Sequence, residues 1–157
     1  MAIVVEDGTL VSGANSYSSV ADFKTWADAR GITYGTDEVI GQQMLRSMDY
    51  LETLDYQGLK ADENQALQWP RDQVYIDGYA VDADEIPKEL KVALYECIKT
   101  EIDSDSRLTP VEREVLSEKV DSIQVTYKSS TGMKRQVPAL TYALKKLIKP
   151  VTAVSRA

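Results

Sequence analysis

The sequence predicts a mainly α fold, a small bundle of about four helices with a short β-hairpin and an extended C-terminal segment. Three observations lead there. Apolar residues recur every three or four positions in four separate stretches, as the buried face of a helix requires. Between residues 115 and 128 the apolar period drops to two, the pattern of a half-buried strand. Glycines and prolines mostly punctuate these stretches instead of interrupting them. The 157 residues suit one domain, taken as 1–151, with 152–157 as a loose tail.

Residues 3–5 read as a short extended segment closed by the turn signal Asp7-Gly8. Ser16, Ser18 and Ser19 are candidate caps for a first helix, roughly 19–30. Val20, Phe23 and Ala27 share its apolar face, with Trp26 beside them. Gly31 suits the left-handed position after the last turn. A second helix starts from Thr36 or Asp37 and runs to about Tyr56. Its stripe is Ile40, Met44, Met48, Leu51 and Leu54, and Gly41 weakens it by about 1 kcal/mol relative to alanine.

Residues 57–86 lose the helical rhythm. They predict a long ordered loop, with a short helix near 62–67 and packing supplied by Trp69, Val74, Tyr75, Ile76 and Tyr79. Pro87 opens a third helix reaching about Ser104, with Ile86, Leu90, Ala93, Leu94, Cys97, Ile98 and Ile102 on one face. Thr109-Pro110-Val111-Glu112 has the form of a capping box and predicts a short helical turn. Val115–Val120 then pairs across Asp121-Ser122 with the alternating Ile123, Val125 and Tyr127, giving a hairpin over 115–128. Ser129–Gly132 reads as a flexible turn. Pro138 opens a fourth helix with Leu140, Leu144, Leu147, Ile148 and Val151 on one face, and Pro150 ends it near Lys149.

The composition narrows the function. Histidine is absent, which removes the commonest general base and the commonest metal ligand together. A Ser-His-Asp arrangement is therefore excluded. The single cysteine, Cys97, cannot form an internal disulfide, and its place on an apolar helix face marks a buried structural thiol. The acids at 77–85 lack the glycine and ligand spacing of a calcium loop. No glycine-rich phosphate loop is present, and no pair of acids stands out for glycosidase chemistry. The sequence thus predicts no enzyme, no cofactor and no metal site. No apolar run approaches the roughly 20 residues that span a bilayer. The N-terminal segment lacks the basic and apolar parts of a secretory signal, so folding in the cytoplasm is expected.

Charge is unevenly placed. Residues 128–157 hold seven basic side chains and no acid, while 1–127 hold the other 11 basic and all 25 acidic ones, a net of -14. An acidic body with a basic end suggests an interaction tail, although a solvated face would carry the same pattern. Lys134, Arg135, Lys145, Lys146, Lys149 and Arg156 are the candidate partner-binding residues. Tyr127 and Tyr142 lie in the same segment, and aromatic plus basic residues can bind single strands. Against that, the body as a whole repels phosphates.

Eight short stretches, in order, carry a family resemblance: Val5-Glu6-Asp7-Gly8-Thr9, Ala14-Asn15-Ser16-Tyr17, Ala29-Arg30-Gly31, Asp49-Tyr50-Leu51, Gln65-Ala66-Leu67-Gln68-Trp69-Pro70-Arg71, Asp84-Glu85-Ile86-Pro87, Ser117-Glu118-Lys119-Val120 and Ile123-Gln124-Val125-Thr126-Tyr127. Together they resemble a phage and prophage family labelled putative DnaT-like single-strand DNA-binding protein, which is similar to the head-tail connector adaptors of long-tailed phages. The turn Asp121-Ser122 departs from it, since relatives often carry glycine there.

The resemblance implies a ring, usually of twelve copies, in the neck of the virion. The ring docks on the outward end of the portal protein, carries a stopper or tail-completion protein, and lets packaged DNA pass without specific binding. No membrane is involved. The segment from about Lys134 to Ala157 is the expected portal-docking element, with the 57–86 loop as its rival. The alternative function is single-stranded DNA binding. Trp69, Pro70 and Arg71 form the most specific motif. Trp69 is expected as a core anchor, and Pro70 as a stiff turn that pushes Trp69 toward extended backbone. Arg71 is expected to pair with an acid of its own subunit or of a neighbour.

Overall fold

The computed structural model describes residues 2–104, 117–120, 123–126 and 138–149. The turn expected at Thr109–Glu112, the Asp121-Ser122 and Ser129–Gly132 turns, Tyr127, Pro150, Val151 and the tail lie outside the described residues, as do Lys134, Arg135 and Arg156.

The architecture is mainly helical, with small antiparallel strand pairs. Helix α1 spans Val20–Asp28. Ser19 caps it in a capping box: its hydroxyl accepts from Asp22 N at 3.1 Å, and the Asp22 carboxylate accepts from Ser19 N. Gly31, at φ 63°, turns the chain out of the helix in the left-handed region, as its position predicts. Phe23 and Ala27 are buried, and Phe23, Trp26 and Tyr34 form an aromatic group with Tyr95 from further along the chain.

Helix α2 spans Asp37–Leu51 and buries Ile40, Met44, Met48 and Leu51. It stops five residues before the expected Tyr56. The Tyr56 ring is buried, and its hydroxyl donates to Leu51 O at 3.0 Å, so the chain folds back on the helix end instead of extending it. Gly41 sits inside the helix, and a Cβ there would meet only Ile3 Cγ1, at 4.0 Å, an ordinary contact. Gly41→Ala is therefore expected to raise stability by about 0.5–1 kcal/mol, read as a higher denaturation midpoint at unchanged slope.

Helix α3, Lys88–Ser104, packs against α2. Its expected stripe holds, with Leu90, Ala93, Leu94, Cys97 and Ile98 buried and Ile102 partly so. An ion pair from Arg46 Nε to Glu101 Oε2, 2.9 Å, adds a polar tie between α2 and α3.

Between α2 and α3 the long loop contains β1 (Leu59–Lys60) paired with β2 (Arg71–Asp72), and β3 (Tyr75–Ile76) paired with β4 (Tyr79–Ala80). The short helix expected near 62–67 is a turn instead. The Gln65 side chain takes Asp62 N and donates to Leu67 O and Pro70 O, serving the backbone in place of helical bonds. Trp69 and Val74 are buried as expected. Tyr75 and Tyr79 are not, because they flank the Asp77-Gly78 turn at the tip of a hairpin, where both turn residues have positive φ.

The C-terminal hairpin pairs β5 (Ser117–Val120) with β6 (Ile123–Thr126), the innermost pair being Val120 and Ile123. Helix α4 spans Pro138–Leu144 and packs on α3, burying Leu140, Ala143 and Leu144. It ends before the expected Lys149. Backbone groups beyond it are claimed by residues 55–57: Gln57 N donates to Leu147 O at 2.9 Å and Lys149 N to Asp55 O at 3.0 Å. Tyr56 and Ile148 form a bridge there.

Candidate functional site

Four of the eight stretches that carry the family resemblance meet in space, in two pairs. Glu6, almost wholly buried, accepts from Gly8 N, Leu10 N and Val11 N at 2.9–3.0 Å and so shapes the loop that follows it. Gly8 then lies against the backbone of Asp84, the start of another of these stretches. The Tyr17 hydroxyl donates to Glu52 Oε1 and accepts from Trp69 N at 3.2 Å. Glu52 Oε2 accepts Gln68 N at 2.8 Å. Tyr17 thus joins the N-terminal segment, the end of α2 and the Gln68-Trp69-Pro70-Arg71 turn.

Trp69 is fully buried, with the Tyr56 ring edge-on at 5.7 Å, and the Trp69-Pro70 peptide is cis. Among the described residues Trp69 Nε1 has no hydrogen-bond partner. Within its own subunit Arg71 pairs with carbonyls and not with an acid, which corrects that half of the expectation. Its Nε donates to Gln57 O at 2.7 Å, one terminal nitrogen to Gly58 O at 3.0 Å, and the other to Gln68 O and Gln68 Oε1 at 3.1 and 3.0 Å. The loop backbone has no ladder partners at these carbonyls, so the planar five-donor guanidinium gathers them. Burial lowers the Arg71 pKa from its ordinary value, with the nearby tyrosines and Glu52 acting the other way.

Burial raises the Glu52 pKa, and the bonds from Tyr17 and Gln68 only partly oppose it. A raised folded value means that folding takes up a proton in the window between the unfolded and folded values. The contribution of Glu52 is then fullest below the ordinary carboxylate range and is lost as pH rises through the raised value. Glu52→Gln is expected to flatten that fall, seen in denaturation midpoints measured from acid to neutral pH. Burial also pushes the Tyr17 pKa upward, with the Glu52 charge adding to it. Cys97 is buried, and its thiol is pushed up to about 12, chiefly by burial.

The basic candidates that the structure describes lie together at the end of α4. Lys145 and Lys149 are exposed. Lys146 forms an ion pair with Asp77 in the 57–86 loop, which raises its pKa. Gln57 links this end to the Trp-Pro-Arg turn, because its carbonyl takes Arg71 and its side chain donates to Lys146 O at 2.6 Å. The two rival docking elements of the sequence are therefore neighbours. Glu6, Tyr17 and Glu52 are missing from the sequence-based candidates. The only hint was that Glu6 and Tyr17 fall inside resembling stretches.

Among the described residues no group of three or more acids or cysteines is placed to hold a metal ion, and no helix is long and apolar enough to cross a membrane. No curated protein and no solved structure matches the chain. Over residues 1–157 it matches the family described as "Putative DnaT-like ssDNA binding protein". The motifs that lock the N-terminal loop, the end of α2 and the Trp69 turn together are thus those of a protein belonging to that family.

Proposed function

We propose that the protein is a non-enzymatic structural subunit of a tailed-phage connector. It assembles in the host cytoplasm into a ring on the portal protein, in the virion neck, receives a stopper or tail-completion protein, and lets DNA pass. The observation that supports this best is the separation of charge. Residues 1–127 carry a net charge of -14, a wall that repels the phosphate backbone and lets DNA slide. The basic end, with exposed Lys145 and Lys149, is suited to an acidic protein surface. The described family motifs support it too, because the polar groups of Glu6, Tyr17, Gln68 and Arg71 are spent on holding loops.

Attachment to purified portal rings tests the proposal. Lys145→Glu with Lys149→Glu, and separately deletion of 151–157, are expected to leave the fold intact and weaken attachment, most at low salt. If both variants decorate portals as the parent does, the basic end is not the docking element.

Single-stranded DNA binding is the second reading, favoured by the family description and by exposed Tyr75, Tyr79 and Tyr142, the last beside Lys146. The connector predicts weak binding to an oligo-dT strand at physiological salt. Sub-micromolar binding that falls steeply with salt would decide for the second reading. No cleavage of DNA with magnesium or manganese is expected.

A further inference from the structure

An aspartate followed by glycine can rearrange without an enzyme. The glycine nitrogen attacks the side-chain carboxyl of the residue before it and closes a five-membered ring. Glycine favours the step because it has no side chain to hinder the nitrogen and its backbone turns freely. The reaction also needs a carboxyl and an N–H that are not already engaged. Two such pairs occur in the chain, Asp7-Gly8 and Asp77-Gly78.

The fold treats the two pairs differently. Asp7 Oδ1 accepts from Thr9 N at 3.0 Å and from Thr9 Oγ1 at 2.6 Å. Gly8 N donates to Glu6 Oε1 at 2.9 Å, and a Cβ on Gly8 would lie 1.8 Å from Asp84 O. Both reacting groups are committed there, and the backbone is closed in. Asp77 and Gly78 instead form the two-residue tip of the β3–β4 hairpin, with Ile76 paired to Tyr79 across it. Their φ values of 53° and 87° are those of the turn that Asp-Gly favours. The Asp77 side chain is 63% exposed, and its carboxylate is bonded only to Lys146 among the described residues. The Gly78 N–H has no acceptor among them, and a Cβ on Gly78 would meet nothing within 4 Å. Each strand of the hairpin is two residues long, so little holds the tip against local opening.

We infer that Asp77-Gly78 is a site of isoaspartate formation in the folded protein, and that the Glu6 loop protects Asp7-Gly8 from the same change. Gly78 N bonds to Asp77 Cγ, and one carboxyl oxygen leaves as water with the amide proton and the carboxylic acid proton. Water then adds to the ring carbonyl that was the main-chain carbonyl of Asp77. The C–N bond at that carbon breaks, and a proton returns to Gly78 N. The chain now runs through Cβ and Cγ, and the former main-chain carbon carries the carboxylate. Composition is unchanged, and water is the only co-reactant. The turn gains one carbon, and the carboxylate that held Lys146 is replaced by one in a different place. The product is the substrate class of carboxyl methyltransferases that act on isoaspartate.

The test ages the full-length protein for several weeks at neutral pH and body temperature, natively and in urea, and then digests it with trypsin. Peptide 72–88 carries Asp77, and peptide 1–24 carries Asp7. Electron-transfer fragmentation locates isoaspartate, and methyl transfer from S-adenosylmethionine by an isoaspartyl methyltransferase counts it independently. Natively, 72–88 is expected to split into two species of equal mass and different retention, the new one with isoaspartate at position 77, while 1–24 stays single. In urea both peptides are expected to split. Asp77→Glu, which would have to close a six-membered ring, is expected to lose the native product. Asp77→Asn, which expels ammonia in place of water, is expected to give it sooner. A 72–88 peptide that stays single in the folded protein would overturn the inference, whatever happens in urea. So would a native 1–24 that rearranges as fast as 72–88, or a product that persists in Asp77→Glu.

Discussion

Trp69→Ala is expected to cost about 3–5 kcal/mol of folding stability, the range for removing a large buried aromatic side chain. Trp69 is fully buried and makes an edge-on contact with Tyr56, which in turn caps the end of α2. Its backbone N–H belongs to the Tyr17–Glu52 knot, so the cavity would open where three segments are tied. Thermal and denaturant melts check the value. Trp69→Phe should lose much less, because the indole N–H has no partner among the described residues to forfeit. A Trp69→Ala protein that melts normally but fails to assemble would move this side chain from the core to an interface.

Gly8→Ala should be nearly as damaging, although the residue lies in a loop. Its φ is +108°, a conformation that L side chains rarely adopt, and a Cβ would lie 1.8 Å from Asp84 O. The neighbour is backbone, held next to the start of α3, and cannot swing aside as a flexible side chain could. Backbone strain and the forced shift together are expected to cost roughly 2–4 kcal/mol. Gly78→Ala is a useful control: its φ is also positive, but its Cβ would meet nothing within 4 Å, so only the strain remains. Equal losses at the two positions would show that the contact with Asp84 does not matter.

The helix interiors are legible in the sequence because periodic burial writes itself into residue order. The stripe from Leu90 to Ile98 needs no tertiary information to be seen. The ends of α2 and α4 are not legible, since they are decided by distant residues. Nothing near Leu51 announces that Tyr56 will fold back on it, and nothing near Leu144 announces that residues 55–57 will claim the backbone beyond it. The turn over 62–67 misleads for a related reason, because Gln65 meets local backbone groups that a helix would otherwise have satisfied. At the candidate site, sequence finds Trp69 by its size but not the partners that Arg71 takes within its own subunit. Charge suggests an acid partner, whereas the geometry of an irregular loop supplies carbonyls. Tyr17 and Glu52 are 35 residues apart, and no pattern in the chain joins them.

The bridge between Tyr56 and Ile148 bears on how the molecule is made. Translation delivers α2 and α3 well before α4, yet among the described residues it is 138–149 that pack on one face of α3 and bond the 55–57 segment. Until those residues leave the ribosome, the nascent chain exposes the apolar surface that α4 covers in the finished fold, a condition that favours chaperone capture or aggregation. Native packing therefore waits on late synthesis, and a product cut short before residue 138 would have α2 and α3 without the helix that packs on α3 in the finished fold.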